Sequence, residues 1–498
     1  MTRTAWFADP FTETADTADT ADITAPPEPR ARQVPARSDD VAAATQQAPD
    51  SLTISHARSL RGLPLEQLRD STDIDPTPLH LDAGESRALL GALRSASDAA
   101  SARLAENARA HLSRREGGWS PDDPRDVEAA LHRILTRSRF LKGSRSCFPL
   151  RAAAEQMRPF IEARRPVTIL ASGFPFKQHD NGLKAAGPWP DLAELGALLR
   201  LKELQRAFAE IYPPGLHVVV LNDGGYSRPR AAVEMQRYRG QLQRYAQLVG
   251  LGSSVFFHDQ SRFVARLLGQ DGWDQRERYR RTFRQVISLL ASGPRNLCAA
   301  GRADQRLAEA MPSDLLAGVP SFRDILSSLV YSVPVPGAPK VNPRQWACDV
   351  LARPDEYSDP DLPPDLAAAR KELLSSAWGD TVNHLAASLA DVASGVAQRY
   401  PPHVRLATVA SRQGCSGFSY LGGSALLPWH GTGCLDGRGL LCAEFLVSLD
   451  HRGYLPVYSD FIGDEQPLMM VPFARTVFAE GRRRVDPDLL ASARLRPR

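Results

Sequence analysis

The chain has 498 residues, 43% of them apolar and 24% charged, with 61 lysines and arginines against 57 acids for a net charge of +4. This is ordinary globular usage, long enough for about three domains or one large decorated α/β domain, and it excludes a wholly disordered, collagen-like or disulfide-stapled chain. The charge is too even to point to nucleic acid, and no apolar run of about 18 residues predicts a membrane span.

The opening residues lack an apolar segment of secretory type, and none of the six cysteines forms a C-x-x-C pair, so the expectation is a cytoplasmic protein with reduced thiols. Residues 1–55 hold nine acids and four arginines among Ala, Thr and Pro, with the repeat ADTADTADIT, and are predicted to be a disordered tail. Residues 56–155 are predicted to be a helical N-terminal region, with helices over 86–115 and over 123–137, the second with Pro124 in its first turn.

Residues 156–475 are predicted to form an α/β domain, Rossmann-like, with a mostly parallel sheet, flanking helices and a helical insertion at about 262–400. The segment RPVTILASGF (165–174) is an apolar, β-branched run expected as a buried strand. A polar loop follows, then an amphipathic helix over 191–212 that opens on Asp191 with Glu194 three residues on, a capping arrangement. Pro213-Pro214-Gly215 stops it, and LHVVVLND (216–223) is a second strand. This βαβ unit predicts parallel strands and puts Lys177 and Asp223 on the sheet edge where ligands bind in such folds. A third strand is expected at 254–259, with more at 404–410, 426–430, 440–449 and 455–461. Residues 331–363 are Pro-rich and irregular, 364–399 helical, and 476–498 read as a mobile basic tail.

Several motifs in order resemble those of the pyoverdine/dityrosine biosynthesis family of isocyanide synthases. They are Phe174-Pro175-Phe176-Lys177, Lys184, Gly187 and Pro190-Asp191-Leu192-Ala193-Glu194. Ile211-Tyr212-Pro213-Pro214-Gly215, Asp223-Gly224 with Tyr226-Ser227, Arg405-Leu406 and Pro428-Trp429-His430 complete the set. The resemblance covers about 155–245 well and 400–460 in patches. It departs at Ala407-Thr408-Val409-Ala410, where the family resembles serine-isoleucine-histidine-proline, at Ser172-Gly173 and at Asn222.

The resemblance implies condensation of an amino-acid amine, tyrosine or tryptophan among them, with ribulose 5-phosphate to give an isonitrile. It implies no redox cofactor or metal, no nucleic acid or membrane partner, and a downstream oxygenase or peptide synthetase. Lys177, Asp223, His430, Asp191 and Glu194 are then the catalytic candidates, and Lys184, Arg405, Tyr226 and Ser227 the substrate-binding ones. Each has a plainer alternative. The lysines are solvated surface charges, Asp191 and Glu194 only cap a helix, and Asp223, Tyr226 and Ser227 shape a turn. Arg405 belongs to a buried ion pair, and His430 is a satisfied loop histidine. Two rival functions stand beside the first: a diverged enzyme making another nitrogen product, which the missing histidine motivates, and a catalytically retired binding or scaffold protein.

Overall fold

The computed structural model describes residues 78–114, 118–177, 185–222, 232–260, 263–264, 267, 273–291, 297–317, 319–329, 364–395, 403–408, 411, 415–422, 426–460 and 466–496. Contacts divide the chain into Met1–Pro76 with His451–Gly453, and Thr77–Asp450 with Tyr454–Arg498. The first is described only at His451–Gly453, the turn before a strand. The expected tail, the start of the helical region and the Pro-rich stretch at 331–363 lie outside the described residues.

The second unit opens with β1 (Leu79–Leu81), α1 (Ala83–Leu112), α2 (Pro124–Leu135) and α3 (Leu150–Glu162). The βαβ unit follows as β2 (Val167–Ser172), α4 (Leu192–Ile211) and β3 (Leu216–Asn222). Next come α5 (Ala232–Leu248), β4 (Val255–Asp259) and the helices α6 (Trp273–Leu290), α7 (Leu297–Ala310), α8 (Ser313–Ala317), α9 (Phe322–Leu329) and α10 (Pro364–Ala393). The chain returns through β5 (Val404–Ala407), β6 (Ser416–Gly417), β7 (Thr432–Leu435), β8 (Leu440–Glu444), α11 (Leu446–His451), β9 (Tyr454–Ser459) and β10 (Met469–Pro472). It ends in β11 (Thr476–Ala479), β12 (Arg482–Val485), α12 (Pro487–Ala491) and β13 (Arg494–Leu495).

The α/β core is a five-stranded parallel sheet in the order β4-β3-β2-β5-β6. From β2 the chain winds to β4 on one side, then restarts on the other side of β2 with β5. The strand order therefore reverses between β2 and β5, the place where open α/β sheets form a crevice beyond their strand ends. Alternate residues Val167, Ile169, Ala171, Val218, Val220, Val404 and Leu406 enter the main core with α4. The first half of α4, residues 192–201, is buried all round, because a second sheet lies against it. Leu192 N donates to Leu468 O at 2.8 Å, and α4 also packs on β7 and β8.

That second sheet, six strands in the order β1-β9-β10-β7-β8-β13, was not expected as a separate sheet, although β8 and β9 fall in the runs expected as strands at 440–449 and 455–461. The structure also changes four expectations. The N-terminal region starts with a strand, β1, paired to β9. Residues 476–498 are not a mobile tail. β11 and β12 form a hairpin in which Arg483 lies 4.3 Å from the Phe473 ring centroid and Arg475 pairs with Asp486 at 3.2 Å, while β13 pairs with β8. The run at 440–449 is a strand only to Glu444 and then turns helical, an ambiguity that apolar runs carry. The expected strand at 426–430 is a short 3-10 turn over Pro428–His430, since Pro428 has no N–H for a ladder. No described helix is long and apolar enough to cross a membrane.

Candidate functional site

β2 leaves the sheet through Gly173-Phe174-Pro175-Phe176-Lys177, at the point where the strand order reverses. A side chain on Gly173 would put its Cβ 2.9 Å from Trp429 and 3.1 Å from the Tyr420 hydroxyl, so glycine lets both rings lie on the backbone. Phe174 takes a left-handed conformation, φ +52°, unfavourable for a bulky residue. Its ring is held among Phe257, Tyr420 and Trp429, with centroids 5.2 to 5.9 Å away, and its carbonyl accepts from Asn222 Nδ2 at the end of β3. Tyr420 donates to Ser172 O at 3.0 Å. The kink turns the chain inward, and Phe176 packs on Tyr238 and Trp189.

Lys177 is thereby fully buried, with Nζ 2.6 Å from Asp191 Oδ2 and 2.8 Å from Glu194 Oε2. Asp191 caps α4: Oδ1 accepts from Ala193 N at 2.8 Å, and Oδ2 also accepts from Gly433 N at 3.0 Å. Glu194 closes the capping box by accepting Asp191 N on Oε2 at 3.0 Å. Its other oxygen, Oε1, accepts from the Tyr238 hydroxyl at 3.4 Å. One residue ahead of the cap, Pro190 O accepts from Tyr245 at 3.1 Å.

One ammonium and two carboxylates withdrawn from water would leave a net negative site. Burial pushes the Glu194 carboxyl up to about 8, against the pull of Lys177 and with the help of Asp191. Near neutral pH Glu194 therefore keeps a proton and the triad is charge-balanced. Oε2 already accepts two N–H donors, which leaves Oε1, facing Tyr238, as the atom for that proton. Burial, then Glu194, raises the Tyr238 phenol well above its usual range, so it stays an O–H group.

The structure thus brings Lys177, Asp191 and Glu194 together. His430 ends the turn whose Trp429 covers Gly173 and Phe174, so it stands beside the end of β2. Arg405 sits on β5 opposite Leu170, between the core residues Val404 and Leu406. Its side chain is on the sheet face away from α4 and is exposed, so it joins neither a buried ion pair nor the triad. Asp223, Lys184, Tyr226 and Ser227 lie outside the described residues. The sequence reading missed Tyr238, Tyr245 and Gly433. The two tyrosines are seven apart on α5, a same-face spacing that was available. Gly433 stood in a glycine-rich run that lacks dinucleotide spacing, and its role is close approach: a Cβ there would lie 2.5 Å from Ala193 N.

Residues 157–297, which include the whole triad, match the family described as "Pyoverdine/dityrosine biosynthesis protein". Over that stretch the chain is similar to the family. Curated relatives include an isocyanide synthase–NRPS hybrid of Aspergillus fumigatus, 38% identical over 79 residues, 15% of this chain and 5% of that protein. An L-tryptophan isonitrile synthase of Fischerella ambigua is 29% identical over 126 residues, 24% of this chain and 39% of that one. An L-tyrosine isonitrile synthase of Xenorhabdus nematophila is 33% identical over 69 residues, 14% of this chain and 20% of that one. The matches therefore span at most 39% of those relatives' own lengths. Among solved structures, the PvcA protein of Pseudomonas aeruginosa aligns with a TM-score of 0.46 and 17% identity, over 69% of this chain and 99% of that chain.

Proposed function

We propose that this protein is a biosynthetic enzyme of isocyanide-synthase type that condenses the amine of an amino acid, tyrosine or tryptophan, with ribulose 5-phosphate to form an isonitrile. One observation carries the reading: a buried Lys177–Asp191–Glu194 triad at the strand-order reversal and within the stretch that matches the family, where burial raises the Glu194 carboxyl to about 8. Joining an amine to a ketone needs a base for the ammonium proton and an acid for the departing hydroxyl. Asp191 and Glu194 supply one carboxyl in each state, and Lys177 fixes both in place. Burial limits the access of water to the intermediates. The relatives named for tryptophan and tyrosine support an aromatic amino acid as the amine.

The test is purified protein with L-tyrosine, L-tryptophan and ribulose 5-phosphate, read by product mass and by the isonitrile infrared stretch. Turnover that disappears in Lys177→Met supports the proposal. Ribulose 5-phosphate consumed without an isonitrile favours another nitrogen product, the reading motivated by Ala407–Ala410. The complete burial of Lys177 favours a second reading, in which the triad only locks α4 to β2 and β7 in a retired binding protein. Absence of turnover with every amino acid, while the sugar phosphate still binds, would establish that one.

A further inference from the structure

β7 and β8 place Cys434 and Cys442 directly opposite each other. Where the two strands turn, Asp436 N donates to Leu440 O at 2.9 Å. Two residues further from the turn on each strand, Cys434 and Cys442 are therefore the next hydrogen-bonded pair of the ladder. Such a pair holds its Cα atoms about 5.5 Å apart with both side chains on one face, inside the span of about 4.4–6.8 Å that a disulfide bridges. Both are free thiols. They differ in access: Cys434 is buried with Leu449 and Met470 in a small apolar cluster, whereas Cys442 packs against that cluster and is half-buried. A hydrogen bond with Cys434 lowers the Cys442 thiol below its usual range, against burial and the charges of Asp436 and Glu444 and with help from Arg496. A reachable thiol with a resolving cysteine beside it is the arrangement of a redox-active pair. The plainer role, two small apolar residues filling a sheet face, gives no reason for them to be in register.

The residues of β7 just before Cys434 hold the triad. Gly433 N donates to Asp191 Oδ2 and Thr432 Oγ1 accepts from Ala186 N, both at 3.0 Å. Gly433 has no slack toward α4, since a Cβ there would lie 2.5 Å from Ala193 N. We propose that Cys434 and Cys442 are a modification site, a reversible disulfide pair that acts on the triad through Gly433. The Cys442 thiolate attacks one sulfur of a low-molecular-weight disulfide, whose S–S bond breaks and releases one thiolate. Cys434 then gives up its proton and attacks the Cys442 sulfur of the mixed disulfide, releasing the second thiolate. Two protein thiols are oxidised to a disulfide, one small disulfide is reduced, and the two protons pass to the released thiolates. The new bond draws the two sulfurs closer than their hydrogen bond holds them. β7 must twist to follow, and Gly433, one residue away, gives up its bond to Asp191.

The full chain, reduced and then held in excess oxidised glutathione, tests it by alkylation of the remaining thiols and peptide mass mapping. Trypsin cuts after Arg438, between the two cysteines, so the expected disulfide joins two peptides and disappears with dithiothreitol. Cys434→Ser should stop at a glutathione adduct on Cys442, and Cys442→Ser should take up no glutathione at Cys434. Amide exchange in the peptide that holds Gly433 should rise at least about fivefold on oxidation, return on reduction, and not respond in Cys442→Ser. Wild-type protein whose two thiols both stay alkylated, whose Cys442 keeps glutathione without closing onto Cys434, or whose cysteines pair elsewhere overturns the proposal. So do the reverse pattern in the two variants and a disulfide that leaves Gly433 exchange unchanged. No step of this test uses a substrate. Absence of isonitrile formation would therefore sink the reaction proposed above and leave the disulfide pair standing, and failure of the disulfide would do the reverse.

Discussion

Glu194 is protonated in the fold at a pH where the unfolded chain has ionised it, and this makes stability depend on pH. Its carboxyl rises from 4.5 to about 8. Between those values the folded state binds more protons than the unfolded state, so this group's contribution is full below 4.5 and lost as pH rises toward 8. Glu194→Gln keeps an acceptor for Lys177 and cannot ionise. Melting temperatures measured from pH 5 to pH 9 should fall less with rising pH in the variant than in the wild type, and parallel curves would contradict the assignment. Gly433→Ala is a second residue-scale case. Its Cβ would sit 2.5 Å from Ala193 N and 2.9 Å from Asp191 Oδ1, both fixed in the cap. A loss of about 1–3 kcal/mol is expected in denaturant unfolding, together with loss of activity. Gly437→Ala, with nothing within 4 Å, should be close to neutral. The triad was legible because a strand end and a helix cap lie close together in sequence. The Gly433 contact was not, because it reaches Asp191 across 242 positions.

At the scale of elements, β2, α4 and β3 fall within two residues of their predicted ends, since strand composition, cap and Pro-Pro-Gly stop agree with the final fold. The second sheet stayed hidden because its strands are short and several of its partners are remote. The three residues of β1 pair with β9, and β10 pairs with β7 in parallel, while the one local signal, the antiparallel β7–β8 pair joined through Asp436-Gly437-Arg438-Gly439, was not read as a hairpin. Nor did sequence predict the left-handed Phe174 that joins β2 to the site, for it depends on rings from three other segments. Asn222 is the cross-strand element that secures this kink, by donating to the Phe174 carbonyl. Asn222→Asp keeps the shape but replaces the donor with an acceptor. It should cost about 1–3 kcal/mol in denaturant unfolding and lower activity by releasing Lys177. A variant with wild-type stability would show that the aromatic packing alone holds the turn.

Over the whole molecule, three distant segments meet at one buried carboxylate. Glu203 of α4 pairs with Arg139, between α2 and α3, through two contacts of 2.7 Å, and with Arg200 at 2.7 Å. Arg200 in turn donates to Arg496 O at 2.9 Å, just past β13. Burial lowers the Arg200 guanidinium to about 10, which leaves it charged at neutral pH and dependent on Glu203. Neutralising that acid strands one fully buried cation and one nearly buried one. Loss of a partner from a buried pair costs about 3–5 kcal/mol, whereas an exposed pair on one helix is worth about 0.3–0.5 kcal/mol. Glu203→Gln should therefore shift the denaturant midpoint several times further than Arg151→Ala, which removes an exposed pair to Glu155. Because the junction ties the N-terminal helices and the chain's last strand to the helix that caps the triad, the same variant should also weaken activity before it unfolds. Equal small shifts for the two variants would mean that the second sheet and the parallel sheet hold together through their apolar core alone.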